Sequence, residues 1–223
     1  MTQPRSGAHI LLPACGTGRY AHALAERGLA VEAFDINAHM LAFASQHRPH
    51  ANVSYRVADM AQPLGELRDC AAAFTLCNSF RYLLEQQDVA RHLVSVRRRL
   101  VPGGLYVVEL ALNVDDPAEL GEERRWELDY GNIRVRASWT LVELHAPTSL
   151  EVARIRVETS DGQHVDFQAN QPQRLWSSSD LERVCRDAGF EMGGVFQLDG
   201  SVAMQPQHPG RYYVALRANS EGV

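Results

Sequence analysis

The chain contains no lysine. All 22 of its basic residues are arginine, which excludes every chemistry that needs a lysine amine. It cannot form a pyridoxal phosphate Schiff base, complete a phosphate-binding loop of the G-x-x-x-x-G-K kind, or supply a Tyr-x-x-x-Lys dehydrogenase dyad. Paired cysteines are missing as well. Cys15, Cys70, Cys77 and Cys185 show no spacing suited to a metal site or a disulfide framework, so no metal is expected and a reducing, cytoplasmic compartment fits best. No run approaches the roughly 18 apolar residues of a membrane span, and Met1 to Gly7 lacks the hydrophobic region of a signal peptide. With a net charge of −5 and a pI of about 6.0, the chain offers no surface for tracking nucleic acid. Its one arginine run, Arg97 to Arg99, falls at the end of a predicted helix, where it offsets the helix dipole.

What remains is 223 residues, 45% of them hydrophobic, enough for one α/β domain with a proper core and a small insertion. Short apolar runs alternate with helical stretches, the pattern of a parallel sheet covered on both faces. Strands are predicted at Ala8 to Pro13, Leu29 to Phe34, Val53 to Val57, Ala71 to Leu76 and Leu105 to Leu110. Between them lie helices from Tyr20 to Arg27, Ala38 to Gln46 and Gln87 to Leu100, the last running into a Pro102-Gly103-Gly104 turn. From Trp126 to Ala169 the period changes to two, with hairpin signals at Gly131-Asn132 and Asp161-Gly162. Asn113 to Glu123 reads as a flexible connector into this stretch. Ser179 and Glu182 suggest a capping box for a helix ending at Gly189, followed by strands Phe190 to Leu198 and Tyr212 to Arg217 as an antiparallel pair at the sheet edge. The expected fold is thus a doubly wound, Rossmann-like α/β domain over residues 1–223. Its sheet is mostly parallel and seven-stranded, with an antiparallel β-insertion at 124–170 that acts as a lid or a dimer surface.

Behind the first strand stands Ala14-Cys15-Gly16-Thr17-Gly18, a turn whose glycines permit positive φ and close passage of a ligand. Gly16, Gly18 and Ala21 also satisfy the nicotinamide pattern G-x-G-x-x-A, with Asp35 some 20 residues on at the end of the second strand. A carboxylate there can accept from both hydroxyls of a ribose, so the loop alone leaves a dinucleotide and other nucleoside cofactors open.

Taken together, a series of further segments resembles the class I S-adenosylmethionine-dependent methyltransferases, in particular small bacterial ones with a β-insertion after strand five, such as the amino-sugar N-methyltransferases. Ile10 to Tyr20 matches that family's first motif. Phe34-Asp35-Ile36-Asn37 with Met40-Leu41 matches its second-strand acid, and Ala58-Asp59-Met60 its third-strand acid. Cys77-Asn78-Ser79-Phe80-Arg81-Tyr82-Leu83 is similar to the segment that passes beneath the methyl donor. Leu100 to Gly104 and Ala188-Gly189-Phe190 resemble the entries into strands five and six.

The resemblance implies S-adenosylmethionine as cofactor, held by Ala14, Gly16, Gly18, Tyr20, Asp35, Ile36, Met40, Asp59, Met60, Cys77 and Asn78. Asp35 would hold the ribose, Asp59 would accept from the adenine amine, and Met40 and Met60 would offer polarisable apolar surface to the purine. The reaction implied is methyl transfer to nitrogen or oxygen of a small molecule. Tyr82 and His145 are the candidates nearest to a catalytic role, although alignment of donor and acceptor can suffice for a neutral amine. Neither nucleic acid nor membrane is expected as a partner, and a homodimer is compatible with the insertion. Two departures stand out. Leu12 occupies a position where the family commonly has an acid, and only about seven residues precede the first strand where the family has one or two helices. Both lead to the expectation of an open, weak cofactor site that Leu12→Glu would tighten, unless Leu12 points into the core from the end of strand one, where the same substitution would bury a charge and destabilise the fold. They also keep in view a cofactor-binding protein without turnover, alongside an NAD(P)-dependent oxidoreductase.

Overall fold

The computed structural model describes residues 7–65, 69–204 and 206–219. The N-terminal stretch read as lacking a signal region lies, up to Ser6, outside the described residues. The chain divides into two compact units, one formed by the residues up to Asn113 together with those from Ser177 onward, the other by Val114 to Trp176.

The first unit is built on β1 (His9–Pro13), β2 (Ala30–Asp35), β3 (Val53–Val57), β4 (Cys70–Thr75), β5 (Leu100–Leu112), β10 (Phe190–Phe196) and β11 (Gly210–Ala218). Their order across the sheet is β10-β11-β5-β4-β1-β2-β3. β1 through β5 are mutually parallel, while β11 runs antiparallel to both β5 and β10. This is the seven-stranded, Rossmann-like sheet that the alternation of runs implies. Ile10, Leu11 and Leu12 are all buried, as expected of a central parallel strand covered on both faces, where alternation of polar and apolar residues disappears.

The helices are α1 (Arg19–Ala25), α2 (Ala38–His47), α3 (Gln86–Arg99) and α4 (Ser178–Asp187). Asn37 caps α2 by accepting from the backbone N–H groups of His39 (3.0 Å) and Met40 (3.2 Å). Val89, His92, Leu93 and Val96 form the buried stripe of α3 at helical spacing. Arg97 does more than offset the dipole: it is buried and donates from Nε to the Gly189 carbonyl (3.2 Å) and from its guanidinium to the Asn219 carbonyl. It thereby fastens the end of α3 to the strand pair β10 and β11.

Two local expectations are corrected. The cap of α4 is Ser177, which accepts from Asp180 N–H at 3.0 Å, while Glu182 pairs with Arg186 one turn on. Ser177-x-x-Asp180 competes with Ser179-x-x-Glu182, and the shorter acid satisfies the first turn. Pro102-Gly103-Gly104 forms part of the irregular start of β5, whose register with β4 shifts between Cys70 and Ala72.

The second unit is an antiparallel meander of β6 (Glu123–Tyr130), β7 (Ile133–His145), β8 (Thr148–Thr159) and β9 (His164–Arg174). β6 and β7 turn at Gly131-Asn132, and β8 and β9 turn through Asp161-Gly162. The Asn113 to Glu123 connector contains a 3-10 turn, Pro117–Glu119, capped by Asp116. Cross-strand pairing places Trp126, Ala137, Ile155 and Phe167 in one row and Leu128, Val135, Val157 and Val165 in the next. Paired residues share a face, so one side of this sheet is apolar. The other carries Glu127, Arg136, Arg156 and Asp166 in a charged row.

Candidate active site

In the first unit a cleft of about 900 Å³ opens at the carboxyl ends of the parallel strands. It sits beside β1, where the order of connections reverses between β2 on one side and β4 on the other, the place at which open α/β sheets bind ligands. Of the residues expected to hold a cofactor, Ala14, Gly16, Tyr20, Asp35, Ile36, Met40, Asp59, Met60 and Cys77 line this cleft.

Asp35 organises the glycine turn. One carboxylate oxygen accepts the N–H of Gly16 at 2.8 Å and the other accepts the N–H of Asn37 at 2.9 Å. Each oxygen keeps a lone pair for another donor. A Cβ on Gly16 would make only an ordinary contact, 3.8 Å from the Met40 sulfur, and the residue's positive φ of 55° is what favours glycine there. Gly18 has a different reason to be glycine: a Cβ would come within 2.4 Å of the Tyr55 hydroxyl and 2.9 Å of Ala44. Its φ of 74° sits in the left-handed region. Gly18 is therefore a packing position below the loop and is not among the cleft-lining residues.

Asp59 follows β3 and folds its own turn, its Oδ1 accepting from Ala61 N–H at 2.8 Å. Cys77 follows β4 with a positive φ. Its backbone N–H donates to Glu109 Oε2 at 3.0 Å, and its thiol lies 3.8 Å from the Tyr20 hydroxyl. Asn78 does not line the cleft; its Oδ1 accepts from Ala111 N–H at 2.7 Å and so ties the segment to β5. Tyr82 is a cleft residue with a half-exposed ring. His145 ends β7 in the second unit, is exposed, and is not among the cleft-lining residues.

Leu12 lines the cleft wall but is 2% exposed and packs in the core cluster of Ile10, Cys15, Ala21, Ala33 and Leu41. A carboxylate at that position would lose its hydration. Burial likewise pushes the Cys15 thiol up to about 12, so it is an inert packing group.

Glu109 escaped the sequence reading. It is buried on β5, pairs with Arg211 at 2.5 Å and fixes the Cys77 amide. The signal was present as a lone acid inside the apolar run Tyr106-Val107-Val108-Glu109-Leu110. Arg19 and Arg48 also line the cleft. Arg19 donates to the Tyr20 hydroxyl (2.8 Å), and Arg48 reaches across to the Thr17 carbonyl (2.8 Å).

The donor set suits a nucleoside that carries no phosphate: two carboxylates with spare acceptor capacity, a glycine that lines the cleft, and methionine sulfur beside it. Residues 10–104 match the family model described as a methyltransferase domain. Over this stretch the chain is similar to S-adenosylmethionine-dependent methyltransferases. That similarity points to S-adenosylmethionine rather than the dinucleotide that the G-x-G-x-x-A spacing also allowed. Among curated relatives, YqeM of Bacillus subtilis (strain 168) is 33% identical over 108 residues, covering 48% of this chain and 43% of YqeM, so the matched stretch is under half of that relative's length. The cypemycin N-terminal methyltransferase of a Streptomyces species is 26% identical over 92% of this chain and 80% of its own. Among solved structures, CalS10, an amino pentose methyltransferase from Micromonospora echinaspora with S-adenosylmethionine bound, superposes with a TM-score of 0.74. It does so at 21% identity, over 95% of this chain and 84% of CalS10, and shows the methyltransferase fold.

Proposed function

We propose that this methyltransferase moves the methyl group of S-adenosylmethionine to an amine nitrogen of a small acceptor. The observation that carries the reading is the gathering of Asp35, Asp59 and the Gly16 turn around one cleft at the switch point of the sheet. Asp35 would take the ribose hydroxyls on its spare lone pairs, Asp59 the adenine amine, and Met40 and Met60 the faces of the purine. When bound, the cofactor supplies a sulfonium-activated methyl group. The chain's part is to align the acceptor behind that methyl and exclude water. Nitrogen is favoured over oxygen because, among the described residues, the cleft is lined by no histidine, and the spare acceptor capacity of Asp35 and Asp59 goes to the cofactor in this reading. A neutral amine attacks without a base, whereas a hydroxyl benefits from one. The name of the cypemycin N-terminal methyltransferase points the same way.

Calorimetry with S-adenosylhomocysteine and NADH, followed by turnover on matched amine and alcohol panels, tests the proposal. Heat with S-adenosylhomocysteine and methylation of amines is expected. Binding of NADH alone, or turnover confined to alcohols, would overturn it. Binding without any turnover would leave a cofactor-binding scaffold.

The assembly we infer is a homodimer through the second unit. Trp126, Leu128, Tyr130, Ile133, Val165 and Phe167 share one sheet face and are each 37–77% exposed. Monomers rarely show an apolar patch beyond about 300–600 Å², and a second copy of the same flat face would cover it. Phe167→Glu should then shift the mass in sedimentation from dimer to monomer; a wild-type monomer would sink this reading. The four free cysteines suit a cytoplasmic setting, and no helix among the described residues is long and apolar enough to cross a membrane.

A further inference from the structure

A polar chain runs through the apolar core beneath the cleft. His92 on α3, Tyr106 on β5 and Thr75 on β4 are all closed to solvent. His92 Nε2 lies 2.7 Å from the Tyr106 hydroxyl, which lies 2.8 Å from Thr75 Oγ1, and His92 Nδ1 lies 3.0 Å from the Met60 carbonyl oxygen. One placement of protons satisfies a neutral ring in this setting. A carbonyl can only accept, so Nδ1 carries the hydrogen; Nε2 then accepts from Tyr106, and Tyr106 accepts from Thr75. Burial keeps the ring neutral, holding its pKa down at about 4 against the pull of the Met60 carbonyl and of Asp59.

A buried imidazole costs more than a leucine unless each nitrogen finds a partner. One of the partners here belongs to a turn. Met60 lies in the connection after β3, beside Asp59, whose carboxylate holds Ala61 N–H and whose carbonyl accepts from Gln62 N–H at 3.1 Å. The His92 ring also meets the edge of Phe80, 5.7 Å between centroids, in the 3-10 turn Ser79–Tyr82 after β4. One side chain thus touches both connections that border the cleft. We propose that His92 is a positioning residue for the adenine side of the site: by donating to the Met60 carbonyl it fixes the turn that presents Asp59. This rests on the cleft being the S-adenosylmethionine site.

Two substitutions separate that role from plain core packing. The amide nitrogen of Asn reaches the place of Nδ1, so His92→Asn keeps the bond to Met60. The amide of Gln reaches the place of Nε2, so His92→Gln keeps the bond to Tyr106. Each gives up one buried hydrogen bond, so both should melt below wild type by similar amounts. Amide hydrogen exchange at Ala61 and Gln62 in the ligand-free protein and calorimetric titration with S-adenosylhomocysteine are the readouts. His92→Gln is expected to speed exchange and weaken binding, each about tenfold, while His92→Asn stays within about twofold of wild type in both. Should His92→Asn not fold, Tyr106→Phe, which spares the bond to Met60, takes its place with the same expectation. Equal effects from the two classes of variant, or undisturbed exchange in His92→Gln, would overturn the proposal. A wild-type protein that binds no S-adenosylhomocysteine would remove the cofactor reading, and the exchange rates would still decide whether His92 holds the turn.

Discussion

The two sheets of this molecule use the same kinds of residue in opposite ways. In β1 the run Ile10-Leu11-Leu12 has no polar alternate and is buried throughout. From Arg125 to Tyr130 in β6 and from Ile133 to Ala137 in β7 apolar and charged residues alternate, and much of the apolar face remains exposed. A parallel strand enclosed by helices spends its side chains on stability and leaves function to the loop at its end. A strand in the second unit spends one face on salt links and leaves the other for contact with something else. An equal change should therefore cost the first sheet far more than the second.

The largest expected effect comes from adding a carboxylate to each. Leu12→Glu should destabilise the protein by roughly several kcal/mol, because the new charge is enclosed by Ile10, Ala21, Ala33 and Leu41. Leu128→Glu, at a position 53% exposed, should leave the urea midpoint of the first unit nearly unchanged. The family's habit of an acid before the glycine turn led to the opposite expectation for Leu12, a gain in cofactor affinity. Burial is the reason to abandon it, and tighter binding with an unchanged melting temperature would restore it.

Next in size is an acid-dependent loss of stability confined to the core of the first unit. The unfolded His92 takes up a proton near its ordinary pKa of about 6.5, while the folded ring resists until about pH 4. Between these values the unfolded state binds more protons, so stability falls as pH falls, by about 3 kcal/mol over the window. Carboxylates titrate there too. The useful quantity is the difference between wild type and His92→Asn in urea midpoints at pH 7 and pH 4.5, which should shrink toward the acid side. A difference that stays constant would mean that the ring is not held neutral.

Asp35→Ala follows, with an expected loss of about 2–3 kcal/mol in S-adenosylhomocysteine binding, about 30 to 150 fold. The structure adds a second consequence, since the substitution also releases the amides of Gly16 and Asn37. A fall in melting temperature should accompany the loss in affinity. Asp59→Asn should cost less, because an amide oxygen can still accept from Ala61 and from an adenine amine. Titration calorimetry on both variants ranks them; a larger loss at Asp59 would reverse the placement of ribose and adenine.

How much of this was legible in the sequence follows the same division. Parallel strands, the glycine turn and the strand-end acids are local patterns, and Asp35, Asp59 and Cys77 meet in one cleft although 18 to 24 residues separate successive ones. Contacts that depend on tertiary register were not legible. Glu109 reaches the Cys77 amide only because β5 lies beside β4, and His92 reads as one more position of an apolar stripe until Tyr106 and Met60 are placed around it. Ser177 and Ser179 are equivalent candidates for a cap in sequence; the extended backbone at Ser177, φ −82° and ψ 156°, makes it the cap.

The smallest expected effect lies on the charged face of the second sheet, and it is informative because it is small. Arg156 and Asp166 face each other across β8 and β9 at 2.7 and 2.9 Å, in a two-pronged geometry that would be strong in a dry interior. Their side chains are about half exposed, so water and salt screen the attraction, and ordering two long side chains offsets most of what is left. Arg156→Gln should therefore leave the melting temperature and the sedimentation behaviour within error of wild type, at low and high salt alike. The apolar face gives the contrast, since Phe167→Glu one row away on the other side is expected to change the assembly. A marked, salt-dependent loss of stability in Arg156→Gln would mean that this face is desolvated in the assembled protein. The subunit contact would then run through the charged side of the sheet, and the division of labour between the two faces would be the reverse of the one inferred from exposure.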